Sequence, residues 1–295
     1  MSERIEFFKN RSIGERLSVA IDFLKQNWKA LYKNILIGGL PLAIIMGYFL
    51  AQQINAQMLS DMHTFFLHYI FFVLISFTTF IYLYAMSGAV LFHYGRNQLT
   101  ETTGWNDLKD TFFRFAGKTV LITFMVYIPI LLIVAGIAAI FSFSVGFTTG
   151  SANVGPIILM ILLIFLLLVV FIALTPSFTI LYFPAYFSGK TNMESIKIAF
   201  SLGFKNWGSL FVAILLTGIV FYIFYMLFSV PLIIVSIFSM GHVTFISYIL
   251  AILSATGMVG AYPIMFIIFA FQYFSIVEKE EGVSLQSRMD EFENL

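Results

Sequence analysis

The chain of 295 residues contains no cysteine, which excludes disulfides, thiolate metal sites and thiol nucleophiles. Charge is also scarce, because Asp, Glu, Lys and Arg together make up 11% of the sequence, whereas soluble domains carry about 25%. The blocks 119–189 and 206–277 contain no charged residue, and the block 34–95 contains only Asp61. Charges inside a membrane mark ion pathways and proton relays, so their absence disfavours a pump built on carboxylates.

Apolar residues make up 60% of the chain, and the mean hydropathy is +0.95. Uncharged runs of about 20 apolar residues predict transmembrane helices, because the hydrocarbon core is about 30 Å thick. Each of the three blocks is long enough for two such helices. The sequence therefore predicts an all-α, polytopic membrane protein whose six spans lie near 35–52, 65–94, 119–145, 156–187, 209–234 and 244–277.

The distribution of positive charge predicts the orientation. All sixteen Lys and Arg residues lie in four segments, at 1–33, 96–118, 190–205 and 278–295. Loops on the cytoplasmic side retain basic residues, whereas the other loops of this chain have none. We therefore expect a multi-pass membrane protein whose four charged segments and both termini lie in the cytoplasm.

The first charged segment has the pattern of an amphipathic helix. Over 15–31 its apolar residues recur at intervals of three and four, at Leu17, Ala20, Ile21, Leu24, Trp28 and Leu31. The same register returns over 194–210, and a shift of 179 positions gives eight identities within 25 positions. The middle segment fits less well, at a shift of 91.

These matches predict a threefold internal repeat of an amphipathic cytoplasmic helix followed by two spans. The repeat units are expected at about 14–95, 100–189 and 191–278, within a single membrane domain that covers 1–295. An acidic tail at 278–295 follows the third unit. Repeats in the same orientation are related by an axis along the membrane normal.

The expected functional surface is the cytoplasmic ring of amphipathic helices, where basic residues lie beside an apolar face. The candidates for binding lipid headgroups are Arg16, Lys25, Lys29, Lys197 and Lys205, and the interfacial anchors are Trp28 and Trp207. Aromatic residues cluster at the cytoplasmic ends of the spans, for example at Tyr94, Tyr186 and Phe274. We interpret them as an interfacial belt or, alternatively, as an apolar platform that faces the cytoplasm.

Few residues in the spans can do chemistry. The sequence has no metal-binding histidine spacing, no nucleophile elbow and no acid–base constellation in a span, so we predict neither an enzyme nor a cofactor. Hydroxyl residues in the even-numbered spans would line the path of a transported solute. The candidates for that path are Ser76, Thr79, Thr175 and Ser177.

The chain resembles a group of poorly characterised bacterial six-span membrane proteins, which includes membrane domains attached to some glycerophosphodiester phosphodiesterases. The resemblance is carried by the Asn-Trp units at 15–31 and 194–210 and by the segment Phe271–Leu285, with the sequence FQYFSIVEKEEGVSL. It implies no catalytic residues, and phosphodiesterase activity is not carried over.

Two functions are compatible with these features. The first is a non-enzymatic membrane protein that organises membrane lipids or a protein partner at the cytoplasmic face, with no role for nucleic acid. The alternative is a transporter, a permease or the membrane subunit of one, for a neutral or apolar solute.

Overall fold

The computed structural model describes residues 5–58, 62–96, 102–147, 155–238 and 244–282. Within these ranges the chain contains eight helices and no strand. In chain order they are α1 (Ile13–Met58), α2 (Met62–Gly95), α3 (Trp105–Phe147), α4 (Gly155–Thr179), α5 (Phe183–Phe187), α6 (Asn192–Lys205), α7 (Trp207–Phe238) and α8 (Phe245–Glu281). The predicted all-α class is confirmed, whereas most of the acidic tail, at 283–295, lies outside the described residues.

Six helices in the described part of the chain are long and apolar enough to cross a membrane. They are α1, α2, α3, α4 continued into α5, α7 and α8. Since 34 residues of α2 span about 51 Å at 1.5 Å per residue, this helix exceeds the hydrocarbon core. The chain is thus a multi-pass helical protein with the expected number of long apolar helices.

The first amphipathic segment is not separate from the first span, which differs from the prediction. α1 runs without interruption through Trp28, where we expected a turn into the membrane, because no Gly or Pro interrupts the chain between Glu15 and Ile37. In the corresponding segment at 194–210 the turn does occur. α6 ends at Lys205, and the backbone of Asn206 leaves the helical region at φ −111° and ψ 27° before α7 begins.

The predicted span 156–187 is also interrupted, in this case by a proline. α4 ends at Thr179, and Pro184 lies in the first turn of α5. Pro184 has no N–H to donate to the preceding turn, and its ring disfavours a helical residue before it. The amides of Leu181 and Phe183 donate to carbonyls three residues earlier, at 3.4 and 3.2 Å, and these hydrogen bonds close the connecting turn.

The chain divides into two compact units, which are described separately. The first comprises Met1–Gly117 and Val212–Leu295, and the second comprises Lys118–Phe211. Within the first unit α1 packs along α8 and α2. The segment of α8 from Phe266 to Val277 is buried on every side. This segment is therefore the centre of the first unit.

Glycines permit the close approach of α1 and α8. A Cβ atom added to Gly47 would lie 2.5 Å from the Cα atom of Ile252, and one added to Gly39 would lie 2.8 Å from a methyl group of Val259. Small residues at such crossings let helices in membranes approach closely. The second unit has an equivalent approach, where a Cβ on Gly203 would lie 2.6 Å from the Cα atom of Ser177.

Gly47→Ala is expected to lower the free energy of unfolding by about 1–3 kcal/mol, because the added methyl group collides with the backbone of α8. Gly218→Ala is the matched control, since a Cβ at this helical glycine meets no atom within 4 Å. Thermal unfolding in mild detergent measures both. Equal stability of the two variants would contradict the close helix contact at Gly47.

Candidate functional site

An aromatic cluster occupies the C-terminal end of α8. The ring of Phe7, which precedes α1, stacks on Phe274 and on Tyr94, with centroid distances of 4.8 and 5.7 Å. Its edge meets Phe271 at 5.6 Å, and Phe23 of α1 meets Phe271 at 5.9 Å. Aromatic pairs in such geometries stabilise by about 0.5–1.5 kcal/mol beyond the burial of their surface.

Hydrogen bonds hold the residues before α1 over this cluster. The backbone N–H of Ile5 donates to the hydroxyl of Tyr94 at 3.0 Å, and the backbone N–H of Arg11 donates to Oγ of Ser275 at 3.0 Å. Phe271 and Phe274 are consequently buried. The alternative prediction of an exposed apolar platform is wrong at this end of α8, because the chain's own N-terminal segment covers it.

The structure also corrects the prediction for Arg16. Its side chain is only 6% exposed, whereas we expected it on the polar face. Nε donates to the carbonyl of Arg11 at 2.8 Å, and Nη1 donates to Oε1 of Gln272 at 3.0 Å. The guanidinium therefore ties α1 to α8 inside the protein, and Arg16 is not placed to meet a lipid headgroup.

The remaining basic residues of α1 lie on its surface. Lys25 and Lys29 are exposed, four residues apart on one face, and Lys33 continues the same row. Trp28, at 56% exposure, lies beside them. Lys25 has a weak surface partner in Asp22, at 3.9 Å. We call Lys25, Trp28 and Lys29 the basic face of α1.

The opposite side of this helix is buried and does not coincide with the predicted apolar face. Ala20, Phe23, Ala30 and Leu31 have 0–4% exposure, whereas Ile21 is 41% exposed. The predicted stripe included Ile21 and omitted Phe23. Packing against α8 and α2 thus selects a face rotated from the one that spacing alone indicated.

α6 has a similar division between a buried side and a basic side. Ser195, Ala199, Leu202 and Gly203 are buried, while the predicted headgroup candidates Lys197 and Lys205 are exposed. A reciprocal cap fixes the first turn. The backbone N–H of Glu194 donates to the Thr191 hydroxyl, and the Glu194 carboxylate accepts from the Thr191 N–H at 3.1 Å. These hydrogen bonds lower the pKa of Glu194 from its ordinary value.

The two predicted tryptophan anchors differ in their surroundings. Trp207 is held in the second unit, where its Nε1–H donates to the carbonyl of Ala173 at 3.1 Å and its ring stacks on Phe211 at 4.7 Å. Trp28 instead presents more than half of its surface outward. Of these two tryptophans, only Trp28 has an exposed ring.

The four hydroxyl residues predicted for a transport path divide between the units. In the first, Ser76 donates to the sulfur of Met46 at 3.5 Å, and Thr79 donates to the carbonyl of Ile75 at 2.7 Å. In the second, Thr175 donates to the carbonyl of Phe171 at 2.7 Å. Bonds to the preceding turn satisfy a hydroxyl within its own helix.

Ser177, the fourth of these residues, is 1% exposed, and its Oγ has no hydrogen-bond partner among the described residues. It lies where α4 and α6 approach at Gly203. Its small side chain permits this contact, and the contact accounts for the position of Ser177 without a solute.

The second unit contains a buried hydroxyl cluster that sequence reasoning missed. The Tyr182 hydroxyl lies 2.9 Å from Oγ1 of Thr123, and the Tyr186 hydroxyl hydrogen-bonds with Thr119. Nζ of Lys118 donates to the carbonyl of Ala185. The signal was present, because the two threonines and the two tyrosines are each four residues apart and so share a helix face.

The part of the chain that the structure describes contains no group of three or more His, Asp or Glu residues placed to hold a metal ion. No protein-family model, no curated protein and no solved structure matches this chain.

Gln272→Leu is expected to destabilise the protein by about 1.5–3 kcal/mol, because it removes the Gln272 acceptor from the buried Arg16 guanidinium. Gln272→Glu is the control, since its carboxylate can accept the same bond. Chemical unfolding in mixed micelles measures both free energies. If the leucine variant is as stable as the wild type, the bond between α1 and α8 contributes nothing.

Proposed function

We propose that this chain is a non-enzymatic membrane protein that organises anionic lipids at the cytoplasmic face of a bacterial inner membrane. The observation that carries the proposal is the basic face of α1, where Lys25 and Lys29 flank the exposed indole of Trp28. Indole rings favour the headgroup level, and lysines at that level attract anionic lipid. A protein partner with an acidic surface would use the same face.

The second basic helix supports the proposal. On α6, Lys197 and Lys205 lie on the exposed side, and Phe204 beside them is 52% exposed. An interfacial helix needs basic residues next to exposed apolar surface, and both helices have them. Each basic residue near an anionic surface contributes about 1 kcal/mol.

The orientation is part of the proposal and rests on charge. The exposed lysines of α1 and α6 lie in two of the charged segments, and cytoplasmic loops retain Lys and Arg. Both termini would then lie in the cytoplasm.

We further propose that the chain is a threefold repeat. The first turn of α1 has the same reciprocal cap as α6, because Ser12 and Glu15 exchange bonds of 2.7 and 3.4 Å between backbone N–H and side-chain oxygen. Ser12 and Glu15 precede Thr191 and Glu194 by 179 positions. Half of this cap recurs before α3, where the N–H of Gly104 donates to Asp107 at 2.8 Å.

A second bond recurs at the same shift. Nδ2 of Asn27 donates to the carbonyl of Phe23 at 3.0 Å, and Nδ2 of Asn206 donates to the carbonyl of Leu202 at 3.3 Å. The Asn-Trp identity thus has a structural role in both helices, although only the second helix ends there.

The middle repeat fits when its shift is 92 positions instead of the predicted 91. At this shift Phe115 and Ile122 correspond to Phe23 and Ala30, and all four residues are buried. Gly104 and Asp107 then coincide with Ser12 and Glu15. A shift of one residue rotates a helix by about 100°, so the burial pattern supports a shift of 92 over the predicted 91.

Equivalent helix contacts complete the support for a repeat. Phe23 at the start of the first repeat contacts Phe271 at the end of the third, at 5.9 Å. Phe115 of the second contacts Phe92 at the end of the first, at 5.7 Å. In the third repeat, α6 packs against α4 and α5 at the end of the second. These contacts, each within one unit, support the proposed repeat.

The transporter alternative has weaker support. Three of its four predicted path residues have hydrogen bonds to neighbouring groups of the protein, and Ser177 lies at a helix contact.

Lys25→Gln combined with Lys29→Gln is expected to lower the affinity for anionic lipid about thirtyfold, because two basic residues leave the surface. Native mass spectrometry of the full-length protein in mild detergent measures the retained lipid. Lys109→Gln with Lys279→Gln is the control, since it removes two exposed lysines elsewhere. Equal retention by wild type and the first variant would overturn the lipid proposal.

The absence of cysteine allows the orientation to be tested with the same protein. A cysteine introduced at Lys29 should react with a membrane-impermeant reagent in inverted vesicles only. Labelling in intact cells would contradict the cytoplasmic placement of the basic face of α1.

A further inference from the structure

Two arginines meet on one aromatic ring where α2 ends. The guanidinium carbon of Arg96 lies 4.6 Å from the ring centroid of Phe92, and that of Arg114 lies 5.1 Å from the same centroid. The distance between the two guanidinium carbons is therefore no greater than the sum of these two distances. Arg114 also lies 5.1 Å from the centroid of Phe115, which is fully buried. The ring of Phe92 thus contacts both guanidinium groups at the C-terminal end of α2.

The pair carries two positive charges, and the carboxylate of Asp107 acts on the neighbouring His93. Both arginine side chains are exposed, and among the described residues neither has a carboxylate oxygen within 4.0 Å. The carbonyl end of α2 contributes only about half a negative charge, which two guanidinium groups exceed. His93 adds a ring whose Nε2 lies 3.4 Å from the hydroxyl of Thr111. Arg96 and Arg114 are thus exposed cations without an ion-pair partner among these residues.

We propose that Arg96 and Arg114 form a binding site for a phosphate monoester, with Phe92 as the platform. A guanidinium group presents a planar fork of donors that matches phosphate oxygens, and stacking on a ring fixes the plane of the fork. A phosphate monoester carries about −1.5 to −2 charges at neutral pH, which suits two arginines. The site differs from the basic face of α1, where lysines provide point charges without this geometry.

The position of the site favours a lipid as the source of the phosphate. Arg96 directly follows α2, one of the helices that are long and apolar enough to cross a membrane. The end of such a helix lies near the level of the headgroups. Where the source of the phosphate is a lipid, the inference deepens the proposed function and rests on it. A soluble phosphate ester would bind through the same two guanidinium groups.

The test uses the full-length protein in mild detergent and native mass spectrometry with added phosphatidic acid. Arg96→Gln combined with Arg114→Gln is expected to lower the apparent affinity about thirtyfold, as for the loss of two basic residues at an anionic surface. Lys109→Gln with Lys279→Gln should bind as the wild type does. Arg96→Lys with Arg114→Lys keeps the charge without the fork and should fall between them. Thermal unfolding checks that each variant is folded.

A second arm uses glycerol 3-phosphate, which distinguishes a soluble source from a lipid. If Arg96→Gln with Arg114→Gln abolishes the binding of glycerol 3-phosphate and leaves the binding of phosphatidic acid unchanged, the result would support the site and assign it to a soluble ester. Equal loss in the glutamine pair and the Lys109/Lys279 control would overturn the site, as would lysine variants that bind like the wild type.

The same measurements separate this inference from the proposed function. If Lys25→Gln with Lys29→Gln loses anionic lipid while the Arg96/Arg114 glutamine pair binds both probes normally, the site is overturned and the proposed function stands. If the wild type retains no anionic lipid but binds glycerol 3-phosphate through the two arginines, the proposed function fails and the site stands.

Discussion

The packing of aromatic side chains on the end of α8 is the interaction on which the first unit depends. Segment Phe266–Val277 is buried on every side, and Phe7, Phe23 and Tyr94 close around it. Outside the hydrocarbon core, burial of apolar rings again provides a driving force that packing between helices within lipid lacks. The part of α8 that is buried on every side therefore lies at its end, next to the charged segment that begins at Glu278.

This packing also explains the surface on which the proposed function rests. Once Ala20, Phe23 and Leu31 face inward, the helical period leaves Lys25 and Lys29 outward. Arg16 lies on the same buried side of α1 and donates a hydrogen bond to Gln272. It therefore differs from the two exposed lysines both in position and in what it contacts. A basic face next to a buried core is held in position, which the proposed recognition of headgroups requires.

The sequence predicted the features that depend on composition and charge. Six long apolar helices follow from runs of uncharged residues, and the buried Ala20 and Leu31 follow from helical spacing. It did not predict the burial of Arg16, because that burial involves packing on α8, where Gln272 accepts a hydrogen bond from 256 positions away. Likewise, the register proposed for the middle repeat depends on packing, since Phe115 and Ile122 are buried at positions where sequence identity is lost. Trp28 and Trp207 looked equivalent, and only Trp207 has a carbonyl partner, on Ala173.

The most direct test of the account is whether equivalent ring contacts in different repeats are energetically coupled. Double-mutant cycles with leucine at Phe23 and Phe271, and separately at Phe115 and Phe92, measure this coupling from free energies of unfolding in mixed micelles. The account predicts about 0.5–1.5 kcal/mol for both pairs, and additivity within about 0.5 kcal/mol for Phe23 with the exposed Phe113. Additivity in either ring pair would contradict the recurrence of this contact and, with it, the proposed repeat.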